Sequence, residues 1–153
     1  MKKSGLRLGV AAAALVLAGS AAAQSVVDGD TIELKGTTYR LHGIDAAEAE
    51  QLCADGWPAG YVAREYLVEL IGNRQVTCAP TVGEHGDETA AICRADGVDL
   101  GAAMVTGGHA LAYVPYSARY ITQEDAAVTA RRGIHAHKCV RPWQWRARLN
   151  SDG

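Results

Sequence analysis

The stretch that decides the fold is VVDGDTIELKGTTYRLHGIDAAE, which covers residues 26–48. β-Favouring residues lie on both sides of Lys35-Gly36-Thr37, a tight-turn signal, and they predict strands over residues 25–45. Charged residues stand where these apolar runs end or turn: Asp28, Asp30, Arg40, Asp45 and Glu48. The segment therefore combines a strand scaffold with a group of acids and one arginine.

This group of side chains suits a metal-assisted phosphodiesterase. Hard cations such as calcium take oxygen ligands, and carboxylates supply them. A spare glutamate such as Glu48 can deprotonate water, and Arg40 can hold phosphate through two hydrogen bonds. A structural alternative is that Asp28 and Asp30 end a strand in an Asx turn, with Arg40 as their salt-bridge partner. Because converging acids usually have a charged partner, the presence of Asp45 as well favours a site.

A helix and two strands are predicted next. The helix starts at Pro58, which suits a first turn, and apolar residues spaced along one helical face carry it to Gly72-Asn73. Strands follow at about residues 74–79 and 89–95. The polar loop Thr81–Glu88 joins these two strands.

Two further helices complete the predicted fold. The second starts near Asp99, a suitable N-cap, and ends at Gly107-Gly108. The third starts at Thr122, where Asp125 completes a loose capping box, and ends at Arg131-Arg132-Gly133. The order of elements suits an α+β fold with a mainly β core. We expect a five-stranded OB-fold β-barrel with three helices.

Residues 1–23 have the pattern of a signal peptide. A basic start precedes the apolar run 8–17, and Ala21-Ala22-Ala23 is a small-residue cleavage site. The apolar run is too short to span a bilayer in a mature protein, although a retained anchor is the alternative. We predict one mature domain over residues 24–153, periplasmic or secreted, with no membrane association after cleavage.

The charge of the mature chain argues against a nucleic-acid partner. Removing Lys2, Lys3 and Arg7 with the leader changes the net charge from −2 to −5. A strongly basic surface is the usual footprint of a nucleic-acid-binding protein, and this composition does not provide one. Long-range steering would oppose a polyanion, which a metal ion and a few local arginines can still hold.

The four cysteines lie in the predicted mature chain: Cys53, Cys78, Cys93 and Cys139. An even count in an exported chain predicts two disulfides, for which three pairings exist. If the runs that contain Cys78 and Cys93 pair as antiparallel strands, both sulfurs can face one side. This favours Cys78–Cys93 and leaves Cys53–Cys139. Four free buried thiols are the alternative, which fits an oxidising compartment poorly.

Several motifs resemble the staphylococcal-nuclease-like (thermonuclease) family. The strongest are D-G-D-T at Asp28–Thr31 and Y-R-L-H-G-I-D at Tyr39–Asp45, followed by Glu48. Weaker matches continue in the family's order: A-D-G-V-D-L at Ala95–Leu100, A-L-A-Y at Ala110–Tyr113, R-G-I at Arg132–Ile134 and P-W-Q-W-R at Pro142–Arg146. The resemblance implies an OB-fold and a calcium-dependent nuclease that acts on DNA or RNA.

The resemblance also implies individual roles. The implied Ca²⁺ ligands are Asp30, Asp45 and the backbone carbonyl of Ala46, with Asp28 as an outer-shell carboxylate. Glu48 would be the general base and Arg40 would bind the reacting phosphate. Tyr113 and Tyr116 would either stack on bases or only pack between a helix and the barrel.

Two positions depart from the family pattern. Ala47 replaces the proline of D-x-P-E, which gives the loop before the base more freedom. The family's second arginine falls on Glu88, or on Asp87 after a shift of one residue. Losing one preorganised donor typically costs about 10²–10³ in rate. Arg74 and Arg94 are displaced from the motif and are poor replacements.

Two C-terminal groups allow a functional and a structural interpretation. The tail contains Trp143, Trp145, Arg141, Arg146 and Arg148. These residues can form a nucleic-acid patch, but we favour packing of the tail onto the domain with solvated charges. His135, His137 and Cys139 alternate, so an extended chain would place them on one side as a transition-metal site. A disulfide through Cys139 would remove that thiolate.

Two functions of different classes follow. The first is an exported calcium-dependent nuclease, weak because one family arginine is missing. The second is a non-catalytic, thermonuclease-like binding module for nucleic acid or a protein partner, which the missing arginine and the acidic charge favour. We expect a monomer in both cases.

Overall fold

The computed structural model describes residues 24–85 and 88–151. Within these ranges it describes every side chain except those of residues 82–85 and 88. The strands are β1 Gln24–Val26, β2 Thr31–Leu34, β3 Thr37–Leu41, β4 Ile44–Ala46, β5 Val76–His85, β6 Glu88–Ala95, β7 Val98–Asp99 and β8 Ala110–Ala112. The helices are α1 Ala59–Ile71, α2 Leu100–Thr106, α3 Ile121–Thr129 and α4 Pro142–Leu149, with a 3-10 helix at Gly133–Ala136. The predicted signal peptide, residues 1–23, and Asp87 lie outside the described residues.

The strands form a larger and a smaller sheet. The larger one has the order β1-β2-β3-β6-β5, and β7 pairs with β6. Its neighbours are antiparallel except β3 and β6, which run parallel. Strands β4 and β8 pair separately and are antiparallel. The α+β class is confirmed, but strand pairing in the described residues does not close into a barrel, so the five-stranded OB-fold barrel stays a prediction.

The main core cluster holds the strands against α1 and α2. Ile32 and Leu41 of the larger sheet pack in it with Leu67 of α1 and with Leu100 and Met104 of α2. All five side chains are almost completely buried. Burying such a side chain contributes about 1.5–3 kcal/mol. The strand segments that carry the predicted site are therefore held in place by core packing against α1 and α2.

Both disulfides form as predicted. Cys78 and Cys93 face each other across β5 and β6 and are joined. Cys53 and Cys139 form the second bond, which links positions 86 residues apart. The second bond connects the loop before α1 to the segment before α4. Two disulfides are compatible with export to an oxidising compartment.

The predicted loop Thr81–Glu88 is mostly strand. β5 continues to His85 and β6 begins at Glu88, so the hairpin is longer than its polar sequence indicated. The strand register shifts between Pro80 and Glu84. Pro80 cannot donate a backbone hydrogen bond, which is consistent with an irregularity at this point.

The predicted helix starts have different outcomes. Asp99 is the N-cap of α2, and its Oδ1 accepts a hydrogen bond from Ala102 N at 3.0 Å. The capping box at Thr122 and Asp125 is wrong, because α3 begins at Ile121 and makes no side-chain cap bond. Its N-cap residue, Tyr120, is buried and donates its hydroxyl to Asp99 Oδ1 at 3.0 Å. Tertiary packing of Tyr120 therefore anchors the start of α3.

The expectation of three helices is also wrong, since the described residues contain α4 as a fourth. Pro142 occupies the first turn of α4 and is buried against the domain. The tail therefore packs as expected, but as a helix. In residues 24–85 and 88–151 no helix has the length and apolar character needed to cross a bilayer.

Candidate active site

One cavity gathers most of the predicted site residues. Its volume is about 250 Å³, and its lining consists of Arg40, Ile44, Asp45, Glu48, Tyr113, Tyr116 and Arg146. Strand β3 supplies Arg40, β4 supplies Asp45, and the following loop supplies Glu48. Arg146 comes from α4, near the other end of the chain. The fold therefore brings distant parts of the sequence to one opening.

Asp30 lies beside this cavity and is almost fully buried, with 3% of its surface exposed. Arg40 Nη2 donates to Asp30 Oδ2 at 3.0 Å and to Asp45 Oδ1 at 3.2 Å, so two acids converge on one nitrogen. Ala46 N also donates to Asp30 Oδ2, at 2.9 Å. Burial raises the pKa of Asp30 to about 7, although the charge of Arg40 opposes this shift. A further cation near Asp30 would relieve the cost of its buried charge.

The turn before β2 positions Asp30. Asp28 Oδ1 accepts the Asp30 backbone N–H at 3.0 Å, so the Asx-turn interpretation of Asp28 is confirmed. A Cβ at Gly29 would lie 2.7 Å from Ala46 Cβ and 2.8 Å from Ala63 Cβ. Glycine therefore allows this turn to pack directly on β4 and α1. The outer-shell role of Asp28 towards a metal stays a prediction.

Arg146 is the residue that differs most from the sequence-based expectation. Its Nη1 donates to Asp45 Oδ1 at 3.0 Å and to Glu48 Oε1 at 2.6 Å, and its Nη2 donates to Asp45 Oδ2 at 2.8 Å. Asp45 is only 2% exposed, whereas the Arg146 side chain is 37% exposed. The hydrogen bond with Asp45 is the main cause that raises the pKa of Arg146 above its ordinary value. The expectation of a solvated charge is therefore wrong for Arg146.

The arginines considered as replacements lie elsewhere. Arg74 Nη1 donates to the carbonyls of Glu69 and Leu70 at the end of α1. Arg94 Nη2 lies 4.0 Å from Asp99 Oδ2. Neither residue lines the cavity. The side chain of Glu88 and all of Asp87 lie outside the described part of the structure.

Gln51 positions the loop that carries Glu48, and the sequence analysis missed it. Its side chain is fully buried; Oε1 accepts Glu48 N at 3.4 Å, and Nε2 donates to Val140 O at 2.8 Å. On the other side of the loop, a Cβ at Gly60 would lie 1.7 Å from Glu48 O. Only glycine allows α1 to approach so closely. A single sequence shows no burial, so nothing distinguished Gln51 from an exposed polar residue.

The Cys53–Cys139 disulfide reinforces this connection. Both cysteines pack in a small buried cluster with Trp57. Ala54 N donates to Lys138 O at 2.9 Å beside the disulfide. The loop of Glu48 and the segment that leads into α4 are thus held together by one covalent bond and by hydrogen bonds. Arg146 lies in α4, seven residues after Cys139.

Aromatic rings form one wall of the cavity. Tyr113 and Tyr116 meet edge to face with ring centres 4.8 Å apart, and the Trp143 ring lies 5.4 Å from that of Tyr113. The Arg141 guanidinium lies 5.2 Å above the Trp143 ring. Tyr116 is 51% exposed, so its ring surface can be reached from solvent. The Tyr113 ring contacts those of Tyr116 and Trp143, and base stacking stays a proposal.

The donor set suits a hard cation better than a transition metal. The described residues contain no group of three or more His, Cys, Asp and Glu side chains placed to hold a metal ion. Cys139 is in a disulfide, and His137 Nδ1 lies 2.9 Å from Asp55 Oδ2, so the alternating His–Cys group supplies no such site. Asp30 and Asp45 are oxygen donors that meet at Arg40, and a calcium site at these carboxylates stays a prediction.

No protein-family model matches the chain. The succinoglycan biosynthesis protein ExoI of Rhizobium meliloti (strain 1021) is 31% identical over 93 residues, which is 57% of this chain and 49% of ExoI. The chain therefore matches about half of the length of that relative. The thermonuclease resemblance stays a prediction from the motifs.

Proposed function

We propose that this chain is an exported calcium-dependent nuclease that hydrolyses phosphodiester bonds in DNA or RNA. The observation that supports it most is the presence of Asp45, Glu48 and Arg40 in one cavity. These residues offer an acid for a cation, a base for water and a guanidinium for phosphate in the same place. The proposal includes a five-stranded OB-fold barrel, a signal peptide at residues 1–23 and a monomeric mature protein.

Several residues of the site have proposed roles in phosphodiester hydrolysis. Asp30, Asp45 and the Ala46 carbonyl would hold Ca²⁺, which would polarise the phosphate and offset its charge. Glu48 accepts a proton from the attacking water, whose oxygen bonds to phosphorus as the bond from phosphorus to one nucleoside oxygen breaks. The departing oxygen takes up a proton from solvent. Arg40 donates hydrogen bonds to a non-bridging phosphate oxygen, where negative charge grows in the transition state. Tyr113 and Tyr116 offer ring faces to a neighbouring base.

A digestion assay tests this function. The exported protein, with its disulfides formed, is incubated with DNA and with RNA in calcium or in excess chelator. We expect digestion only with calcium, and a loss of at least about 10² in the Glu48→Gln variant. The control is Glu50→Gln, which changes an exposed glutamate outside the cavity. Equal activity of Glu48→Gln and the unchanged protein would reject the proposal.

A non-catalytic binding module is the second candidate. It is supported by the net charge of −5 for residues 24–153 and by the arginine contacts that already engage Asp45 and Glu48. Calcium-independent binding of an oligonucleotide or a protein without turnover would favour it. The Glu88→Arg variant separates the candidates further. A gain of nuclease activity would show that the remaining machinery is intact, whereas unchanged binding without turnover would support the module.

A further inference from the structure

We propose that Arg146 is a substrate-binding residue, which α4 supplies as a second guanidinium for the scissile phosphate. This inference rests on the proposed nuclease function. It assigns to Arg146 a contact with the phosphate of a single-stranded nucleic acid, in addition to its contacts with Asp45 and Glu48.

The first support is that both arginines lie at the same carboxylate oxygen. Arg40 Nη2 donates to Asp45 Oδ1 at 3.2 Å, and Arg146 Nη1 donates to the same atom at 3.0 Å. The two guanidinium groups therefore flank Asp45 on the cavity wall. Two guanidinium groups that share one carboxylate oxygen can also share the several oxygens of one phosphate.

The second support is the charge of the cavity. Among the lining residues, two arginines face the carboxylates of Asp45 and Glu48, so these charges balance. A divalent cation on Asp30 and Asp45 would leave an excess of positive charge, which an anion can neutralise. The same cation would compete for the oxygens of Asp45 that Arg146 now binds. The N–H groups of Arg146 would then be available to donate hydrogen bonds to the phosphate.

The third support is the donor inventory of Arg146. A guanidinium has five N–H donors in a fixed fork, and the structure shows three hydrogen bonds from Arg146 to acids. Its side chain is 37% exposed, so a ligand in the cavity can reach it.

The test measures binding apart from cleavage. A fluorescent single-stranded DNA oligonucleotide is titrated with the Glu48→Gln protein in calcium, over a series of salt concentrations. We expect Arg146→Ala in this background to weaken binding by about 10-fold or more. The salt slope, which is the change in the logarithm of the binding constant with the logarithm of the salt concentration, should become shallower by about 0.7. Arg148→Ala is the control, because Arg148 is exposed on the same helix and does not line the cavity. Arg146→Lys keeps the charge without the fork and should be intermediate.

The salt slope separates binding from a structural role. If Arg146→Ala lowers thermal stability but leaves the salt slope unchanged, Arg146 only fastens α4 and the inference is overturned. If the alanine variant does not fold, Arg146→Gln, which removes the charge but keeps a polar side chain, serves the same comparison. If the unchanged protein cleaves and Arg146→Ala retains its kcat/KM, the inference fails while the nuclease function stands. If the unchanged protein does not cleave but Arg146→Ala lowers the slope, the nuclease function fails and the binding role stands.

Discussion

Arg146 Nη1 donates to Glu48 Oε1 at 2.6 Å and so joins two residues that lie 98 positions apart in the chain. Charge-assisted hydrogen bonds of this length are among the stronger polar contacts in proteins. Glu48 is also held through its backbone, since Glu48 N donates to the buried Gln51. The candidate base is therefore positioned from both its main chain and its side chain.

Gly60→Ala should displace the candidate base. The new Cβ would lie 1.7 Å from Glu48 O, so the loop or α1 must move. Overpacking of this kind costs about 1–3 kcal/mol of unfolding free energy, and we expect a marked loss of nuclease rate as well. Urea denaturation and the digestion assay measure the two effects. Glu69→Ala, on the exposed surface of α1, should change neither. Full activity of Gly60→Ala would show that the close approach does not matter.

Asp30→Asn should change how stability depends on pH. The pKa of Asp30 is about 7 in the folded protein, against an ordinary value of 3.8. The folded pKa is the higher one, so this group's contribution is fully present below pH 3.8 and is lost as pH rises through 7. Without metal, Asp30→Asn should therefore be more stable than the unchanged protein at pH 8, by about 2–4 kcal/mol, and similar to it at low pH.

Denaturant unfolding at both pH values, without and with calcium, measures this difference. Under the proposed function, calcium should stabilise the unchanged protein and have little effect on Asp30→Asn, because this substitution removes a proposed ligand. Asp125→Asn, which changes an exposed carboxylate of α3, is the control. If the Asp30→Asn variant is less stable than the unchanged protein at pH 8, burial does not raise the pKa of Asp30 to about 7.

Arg40→Ala should reduce both rate and stability. Arg40 Nη2 contacts Asp30 and Asp45, and removing it leaves two buried acids without this partner. We expect a loss of about 3 kcal/mol in unfolding free energy and of about 10²–10³ in nuclease rate. Arg40→Lys should retain most of the stability but less of the activity. The charge remains, whereas the planar arrangement of guanidinium N–H donors is lost.

Arg64→Ala is the matched control for Arg40→Ala. Arg64 pairs with Glu65 at the surface, with both side chains more than 40% exposed, and donates one hydrogen bond to Val26 O at 3.3 Å. It should contribute less than Arg40, which contacts two buried acids. A normal rate in Arg40→Ala would remove Arg40 from the proposed machinery.

The two disulfides should differ in their effect on activity. Replacing Cys53 and Cys139 by serine should cost about 2–5 kcal/mol and should also reduce the rate below the melting temperature, because the loop of Glu48 and α4 are then less well connected. Replacing Cys78 and Cys93 should lower stability but leave the rate of the folded fraction nearly unchanged. Thermal unfolding and initial rates measure these outcomes, and equal rate losses in both double variants would contradict the link to α4.

Local chemistry made part of the structure predictable. The turn at Lys35-Gly36 and the two carboxylates of the D-G-D motif depend on neighbouring residues, and the structure shows the hairpin and the Asx turn. The disulfides followed from strand pairing of Cys78 with Cys93.

Long-range contacts were not predictable in the same way. Arg146 is one of several tail arginines, and only the folded position of α4 brings it to Asp45 rather than to solvent. Gln51 has no sequence pattern that marks it as buried. The start of α3 was misplaced because packing of Tyr120 overrides the local preference of Thr122 for a cap.

The Cys53–Cys139 bond has a consequence for the cell that makes this protein. In a reducing cytosol these sulfurs would stay apart, so the part that bears Glu48 and the part that bears Arg146 would not yet be joined covalently. Under the proposed function, a newly synthesised chain would have low nuclease activity while it is still close to chromosomal DNA and messenger RNA. It would mature only beyond the membrane, where the genome of its producer is out of reach.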